Sequence, residues 1–148
     1  VYMSLNEKIF KEITLAGSGA TNILIIAILL IIGETRAFIL LTACLIISIA
    51  LTVLIRSLYF KNRPKKQNYK NFIEKIDASS FPSLHSMRVA MYLFIFTALY
   101  GYIAFIIFLP ISIIVVISRL ILKKHDIYDV SFGFVIGLII SYILVLLY

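Results

Sequence analysis

Residues 118–129 read SRLILKKHDIYD, and this stretch separates two long apolar runs in the second half of the chain. A membrane protein ordinarily places only a short connecting loop at such a junction, yet this one carries an arginine, a histidine and two carboxylates. His125 and Asp129 are four residues apart, so on a helix they lie on one face. A carboxylate there can hold an imidazole in one tautomer and stabilise its charged form. The stretch therefore predicts an oriented, functional histidine at the edge of a membrane.

The composition excludes a soluble globular protein. Of the 148 residues, 62% are hydrophobic and 14% are charged, and the mean hydropathy is +1.07. We therefore predict a polytopic membrane protein. The net charge is +7, and the basic residues cluster beside the apolar runs. That placement indicates anionic lipid headgroups or phosphate as partners, rather than nucleic acid. Cys44 is the single cysteine, so it forms no intrachain disulfide and indicates nothing about the compartment.

The apolar runs predict an all-α fold in a single domain, residues 1–148. We predict a membrane helical bundle of about five transmembrane helices, over residues 13–33, 36–56, 82–100, 102–119 and 127–148. The residues before the first span predict a short amphipathic N-terminal helix, which would either lie at the membrane interface or extend that span. The small residues 16–20, AGSGA, would let a neighbouring helix approach closely or would break the helix. The sequence carries no signal for the oligomeric state.

Two more polar clusters lie at the ends of predicted spans. His85, the second of two histidines, lies in FPSLHS at residues 81–86, and Arg56 is followed after six residues by Arg63 and Pro64. Successive spans alternate in direction, so all three clusters are predicted to meet at one rim of the bundle. Arginines and histidines gathered there would repel one another unless an anion lay among them. A tetrahedral phosphate suits that position because guanidinium groups bind its oxygens bidentately.

Together, these clusters resemble the motifs of the type-2 phosphatidic acid phosphatase family, which are membrane lipid phosphatases related to the vanadium haloperoxidases. The family pattern is Lys-x6-Arg-Pro, then Pro-Ser-Gly-His, then Ser-Arg-x5-His-x3-Asp. The third motif matches at Ser118, Arg119, His125 and Asp129. The second matches except for Leu84 in place of glycine, and the first matches except for Arg56 in place of lysine. The resemblance covers about residues 56–129, and three motifs in order are a more specific signal than any one of them.

The resemblance implies a role for each matched residue. His125 would attack phosphorus and form a phosphohistidine, Asp129 would orient His125, and His85 would protonate the leaving oxygen. The phosphate-binding residues would be Arg56, Arg63, Ser83, Leu84, Ser118 and Arg119. No cofactor is implied, and a metal ion is disfavoured because three arginines would lie beside both histidines. Arg56 is flatter than lysine, and Leu84 would be strained if its position requires a positive φ.

The function implied is that of a metal-independent, acid phosphatase-type hydrolase acting on lipid phosphates. We expect a polyprenyl diphosphate substrate, undecaprenyl or dolichyl, with phosphatidate or phosphatidylglycerophosphate as the alternative. A non-catalytic lipid-phosphate-binding or transport protein is the alternative from another class. A haloperoxidase-like vanadate enzyme is disfavoured by the membrane spans.

Two signals disagree on which side of the membrane the three clusters face. Of the 14 Lys and Arg residues, only Arg36 lies at the opposite rim, so the positive-inside rule places the clusters in the cytoplasm. Microbial relatives that recycle lipid carriers usually face outward, so the resemblance implies an extracytoplasmic site. We expect the outward orientation for this integral membrane protein.

Overall fold

A computed structural model describes the backbone of residues 5–148 and the side chains of residues 8–148. Seven α-helices and one 3₁₀ turn account for most of that range. They are α1 (Leu5–Ile13), the 3₁₀ turn (Thr14–Gly17), α2 (Gly19–Ile31), α3 (Thr35–Leu58), α4 (Phe72–Ala78), α5 (Leu84–Tyr100), α6 (Tyr102–Ile121) and α7 (Ile127–Leu147). The prediction of an all-α membrane bundle is confirmed.

The first predicted span, residues 13–33, is not one continuous helix. Ser18 adopts an extended backbone conformation between the 3₁₀ turn and α2, and the two halves, Lys8–Gly17 and Gly19–Ile31, are bent by 45°. Gly17 and Gly19 flank the break, so the small residues interrupt the helix, and Gly17 also lets α5 and α6 approach closely at His85 and Val115. The Ser18 hydroxyl then caps α2 by accepting a hydrogen bond from the Thr21 amide, 3.1 Å away.

Within residues 5–148, three helices are long and apolar enough to cross a membrane, namely α3, α6 and α7, and the bent α1–α2 pair makes a fourth if it counts as one span. This is a multi-pass integral membrane protein. The remaining apolar helix, α5, has 17 residues and is therefore about 25 Å long. The predicted total of about five spans is therefore reached only if α5 and the bent pair each cross the membrane.

Helix α5 lies at the centre of the bundle. It packs against α3, α6 and α7, and its residues from Ser86 to Leu93 are all buried. Large apolar side chains on the outer helices, such as Ile31 and Leu147, are instead exposed, as expected where lipid surrounds the bundle. The two histidines lie at the start of α5 and just before α7, so the α5–α7 contact decides how they are placed relative to each other.

Two glycines bring α7 directly against α5. A Cβ atom added to Gly133 would lie 2.5 Å from the Ser83 carbonyl oxygen, and one added to Gly137 would overlap the Met87 carbonyl oxygen. Both neighbours are backbone atoms, so neither can move aside cheaply. This is the close approach that glycine at four-residue spacing permits between membrane helices.

We expect Gly137→Ala to destabilise the protein by about 1–3 kcal/mol, because the methyl group would force α7 away from α5. Helix propensity alone predicts the opposite sign, since alanine is favoured over glycine by about 1 kcal/mol inside a helix. Thermal unfolding in detergent would measure the change. Ile139→Ala, at an exposed position of α7, is the matched control and should have a smaller effect. A more stable Gly137→Ala protein would contradict the packing argument.

Candidate active site

Four helix ends converge at one rim of the bundle. Arg56 lies in the last turn of α3 and Arg119 in the last turn of α6. His85 is the second residue of α5, and His125 directly precedes Asp126, the N-cap of α7. The Asp126 side chain accepts from the Asp129 amide while the Asp129 side chain accepts from the Asp126 amide, each at 3.0 Å. This capping box makes Asp126 a helix cap and stabilises the start of α7.

The four ends surround one cavity of about 230 Å³. Its wall is formed by arginines and histidines, together with a few other residues: Gly19, Arg56, Arg63, Asp77, Leu84, His85, Arg88, Arg119 and His125. Both imidazoles therefore border the same space. Asp77, the carboxylate in this set, is exposed, so the buried part of the wall is strongly positive.

Three of the residues predicted for the site do not line this cavity. Ser83 is the N-cap of α5, where its hydroxyl accepts a hydrogen bond from the Ser86 hydroxyl at 3.1 Å. Ser118 donates to the Val115 carbonyl oxygen of its own helix, 2.6 Å away. Asp129 is completely buried behind His125. The two hydroxyls are thus engaged in capping and helix contacts, which is the usual local role of serine.

His125 is oriented by a backbone carbonyl that the sequence did not suggest. Its Nδ1 atom lies 2.7 Å from the Ser80 carbonyl oxygen and 3.8 Å from Asp129 Oδ2. A carbonyl oxygen only accepts, so Nδ1 carries the proton and Nε2 keeps its lone pair. Burial lowers the pKa of His125, and the nearby Asp129 carboxylate opposes that shift only in part. His125 is therefore neutral at neutral pH, as a nucleophile must be.

Lys61 holds the Asp129 carboxylate in place. Lys61 Nζ donates to Asp129 Oδ1 at 2.7 Å and to Asp126 Oδ2 at 2.6 Å. Partial burial alone would lower the pKa of Lys61, but these two hydrogen bonds raise it above the usual value. Lys61 therefore remains charged and ties the loop after α3 to the start of α7.

We expect Lys61→Met to destabilise the protein by about 1.5–3 kcal/mol, the typical contribution of a hydrogen bond to a charged group. The physical reason is that the buried Asp129 carboxylate would lose its cationic partner. Thermal unfolding would measure the loss. Lys66→Met, at an exposed position in the same loop, is the matched control and should leave stability nearly unchanged. Equal effects of the two substitutions would contradict a stabilising role for this ion pair.

The arginines of the cavity share an unusual feature. Each has its Nε atom buried with no acceptor among the described residues: Arg56, Arg63, Arg88 and Arg119. Some of their terminal nitrogens are engaged, because Arg56 donates to the Ile76 and Pro82 carbonyl oxygens at 3.1 and 2.9 Å, and Arg119 donates to Thr14 Oγ1 at 3.0 Å. Buried donors without acceptors are costly. An anion in the cavity would bring acceptor oxygens to these guanidinium groups, as the sequence predicted for the three motif arginines.

The two departures from the family motifs fit this structure. Leu84 is the first residue of α5, and the only non-glycine residue with a positive φ in the described range is Lys123. Leucine is therefore not strained at position 84. Arg56 uses its several donors to hold one carbonyl of α4 and one of the loop before α5 while still bordering the cavity, and lysine offers fewer donors in a less rigid geometry.

Several cavity contacts were not foreseen from the sequence. Arg88 follows His85 by three residues, so helical spacing alone could have placed it on the same face. Ser80 and Lys61 gave no comparable signal, because their partners are 45 and 68 residues away in sequence. Thr14 accepts a hydrogen bond from Arg119, and Gly19 lines the cavity. Both positions depend on the break between α1 and α2, which the prediction of one continuous span did not include.

Comparison with known proteins gives a family match and a similar fold. The family model described as the PAP2 superfamily matches residues 37–148 of the chain. A solved structure with a similar fold is described as the first transmembrane PAP2 type phosphatidylglycerolphosphate phosphatase from Bacillus subtilis. The two share 23% sequence identity with a TM-score of 0.75, over 99% of this chain and 78% of the other. At that identity the similarity establishes the fold alone.

Proposed function

The chain belongs to the PAP2 superfamily of metal-independent lipid phosphate phosphatases, and from that premise we propose that it hydrolyses a polyprenyl diphosphate through a phosphohistidine at His125. The observation that carries the proposal is that one cavity is bordered by His85, His125 and the motif arginines Arg56, Arg63 and Arg119. A nucleophile, a general acid and anion-binding groups must all reach one phosphorus atom, and this cavity brings the candidates for each role together.

In the first step, Nε2 of neutral His125 bonds to phosphorus as the bond from phosphorus to the leaving oxygen breaks. His85, protonated when the anionic substrate offsets the charge of the surrounding arginines, gives its proton to that oxygen. In the second step, a water molecule gives a proton to His85 while its oxygen bonds to phosphorus and the bond from phosphorus to Nε2 breaks. Phosphate leaves, and both histidines return to their starting states. Throughout, the arginines offset negative charge on the phosphoryl oxygens.

The substrate is proposed to reach this cavity from the bilayer. The rim of the bundle carries one short helix and a loop outside the long helices, so the cavity lies close to where lipid headgroups are. Polyprenyl diphosphate is our first choice. Phosphatidate and phosphatidylglycerophosphate are the alternative substrates. The fold similarity to a phosphatidylglycerolphosphate phosphatase is a reason to assay phosphatidylglycerophosphate as well.

The direct test is phosphate release by the purified protein in detergent, from a panel of polyprenyl diphosphate, polyprenyl monophosphate, phosphatidate and phosphatidylglycerophosphate. We expect release to be fastest from polyprenyl diphosphate and to be undiminished by EDTA. Faster turnover of a glycerophospholipid would replace the proposed substrate. Absence of release from every lipid would favour a lipid-phosphate-binding or transport protein instead.

We propose that the cavity faces the outside of the cell, and labelling a single cysteine tests this orientation. Lys66 is exposed in the loop beside the cavity, whereas the native Cys44 is fully buried and should not react. In intact cells, an impermeant thiol reagent is expected to modify Lys66→Cys. Arg36→Cys, at the opposite rim, is the matched control and should be modified only after the membrane is permeabilised. The reverse pattern would place the cavity in the cytoplasm, as the distribution of lysines and arginines favours.

A further inference from the structure

Arg88 is a fourth arginine in the cavity that the three sequence motifs do not include. Its side chain is 7% exposed, and its guanidinium group lies 3.5 Å from the position that a Cβ atom would take at Gly19, the first residue of α2. Its one hydrogen bond in the described structure is long, from Nη1 to the Gly17 carbonyl oxygen at 3.4 Å, and its Nε atom has no acceptor. A buried, permanently charged group in a membrane bundle normally indicates a functional site.

Buried polar groups continue from Arg88 toward the bundle interior. The Tyr92 hydroxyl, one turn further along α5, and the Asn22 amide on α2 are buried and lie close to each other, and Tyr92 is also close to Arg88. A buried polar patch therefore extends inward from Arg88 between α2 and α5. A core that served packing alone would hold apolar side chains here.

We propose that Arg88 and the start of α2 at Gly19 form a second anion subsite, which binds the second phosphoryl group of a diphosphate. This inference rests on the proposed phosphatase function and deepens it. The three motif arginines are assigned to the phosphoryl group that His125 attacks, so a monophosphate bound there would leave the Nε atom of Arg88 without an acceptor. A diphosphate supplies the additional acceptor oxygens.

The direction of α5 supports the assignment. His85 stands at the leaving oxygen, which in a diphosphate bridges the two phosphorus atoms. Arg88 follows His85 by three residues, so it lies on the same helix face, about 4.5 Å further along the axis. That displacement points away from the rim and into the bilayer, where the lipid tail must be. The second phosphoryl group therefore lies between the reacting phosphorus and the tail, and it departs as part of the lipid monophosphate.

The test compares Arg88→Gln with the natural protein on polyprenyl diphosphate and on the matching monophosphate. We expect kcat/KM for the diphosphate to fall about 10- to 100-fold further than that for the monophosphate, the range for losing hydrogen bonds to a charged group. Arg36→Gln, which removes an exposed arginine at the opposite rim, should leave the ratio of the two substrates unchanged. Equal losses on both substrates would overturn the proposal and assign Arg88 a structural role, through its hydrogen bond to the Gly17 carbonyl oxygen.

Gly19→Ala provides a second test if Arg88→Gln does not fold. The added methyl group would sit at ordinary contact distance from the guanidinium group, so it should narrow the subsite without disturbing the helices. We expect a selective loss on the diphosphate, on the order of tenfold. No change in the ratio of the two substrates would count against the subsite.

A binding measurement separates this inference from the proposed function. Inorganic pyrophosphate, with EDTA present, should bind at least about tenfold more tightly than orthophosphate, as judged from the shift in thermal unfolding with ligand concentration. Arg88→Gln should remove that difference and Arg36→Gln should keep it.

If no lipid is hydrolysed yet the difference in affinity between pyrophosphate and orthophosphate holds, the phosphatase proposal fails and the diphosphate subsite stands. If pyrophosphate and orthophosphate bind equally, the subsite is refuted whatever the activity. Turnover of inorganic pyrophosphate at a rate matching the lipid diphosphate would identify a soluble diphosphate, not a lipid, as the source of that group.

Discussion

Replacing His125 with alanine is expected to lower phosphate release from every lipid phosphate by on the order of 10⁴-fold or more, the scale of losing a catalytic nucleophile. The reason is that Nε2 of His125 forms the covalent bond to phosphorus, and the second histidine at the cavity, His85, is assigned to proton transfer. Phosphate release would be measured under single-turnover conditions. The same variant should form no acid-labile phosphoprotein after rapid mixing with substrate, whereas the natural protein should.

Binding distinguishes a lost nucleophile from a lost fold. The arginines that border the cavity remain in His125→Ala, so affinity for orthophosphate should change by less than about tenfold. This outcome also decides between an enzyme and a non-catalytic lipid-binding protein. Residual turnover above a tenth of the natural rate would exclude His125 as the nucleophile and with it the phosphohistidine pathway.

Replacing His85 with asparagine is expected to lower turnover of polyprenyl monophosphate by about 10²–10⁴-fold, the usual contribution of a general acid. The loss should be smaller for the diphosphate, because a departing lipid phosphate needs a proton less than a departing alcohol does. Comparing the two substrates in one variant therefore tests the role of His85 as well as its importance.

A substrate with a good leaving group separates the two chemical steps. With p-nitrophenyl phosphate, His85→Asn should release about one equivalent of p-nitrophenol quickly and then stall, because the water that cleaves the phosphohistidine lacks its base. Accumulated phosphoprotein would be detected directly. A variant that shows no burst and loses both substrates equally would indicate that His85 supports the fold and does not transfer protons.

The chemistry-bearing ends of the helices were predictable because their signals are local. Apolar runs of about 20 residues imply membrane helices whatever surrounds them. Once those helices alternate in direction, Arg56, His85, Arg119 and His125 must lie at one rim, where the structure places them. The Asp126 cap was also predictable, since capping depends on residues three apart in sequence.

The break at Ser18 shows why the first span was harder to predict. Hydropathy counts apolar residues and carries no information about backbone direction, so residues 13–33 satisfied it as one helix. The bend depends on tertiary contacts. Arg119 donates to Thr14 in the 3₁₀ turn, and Gly17 packs against His85 and Val115. Those contacts stabilise a 3₁₀ turn that lies against the cavity residues, in preference to a straight continuous helix that would not contact them.

By itself, the sequence determined that this chain is a helical membrane protein with its two histidines and three motif arginines at one rim. Only the tertiary structure decided which groups meet them there: the Ser80 carbonyl on His125, Lys61 on Asp129, and Arg88 beside Gly19. The physical reason is the sequence separation over which each kind of interaction acts. Hydropathy, capping and motif spacing act within a few turns of one segment, whereas these contacts join segments far apart in sequence. They form only where Gly133 and Gly137 let α7 and α5 touch and where the chain turns at Ser18.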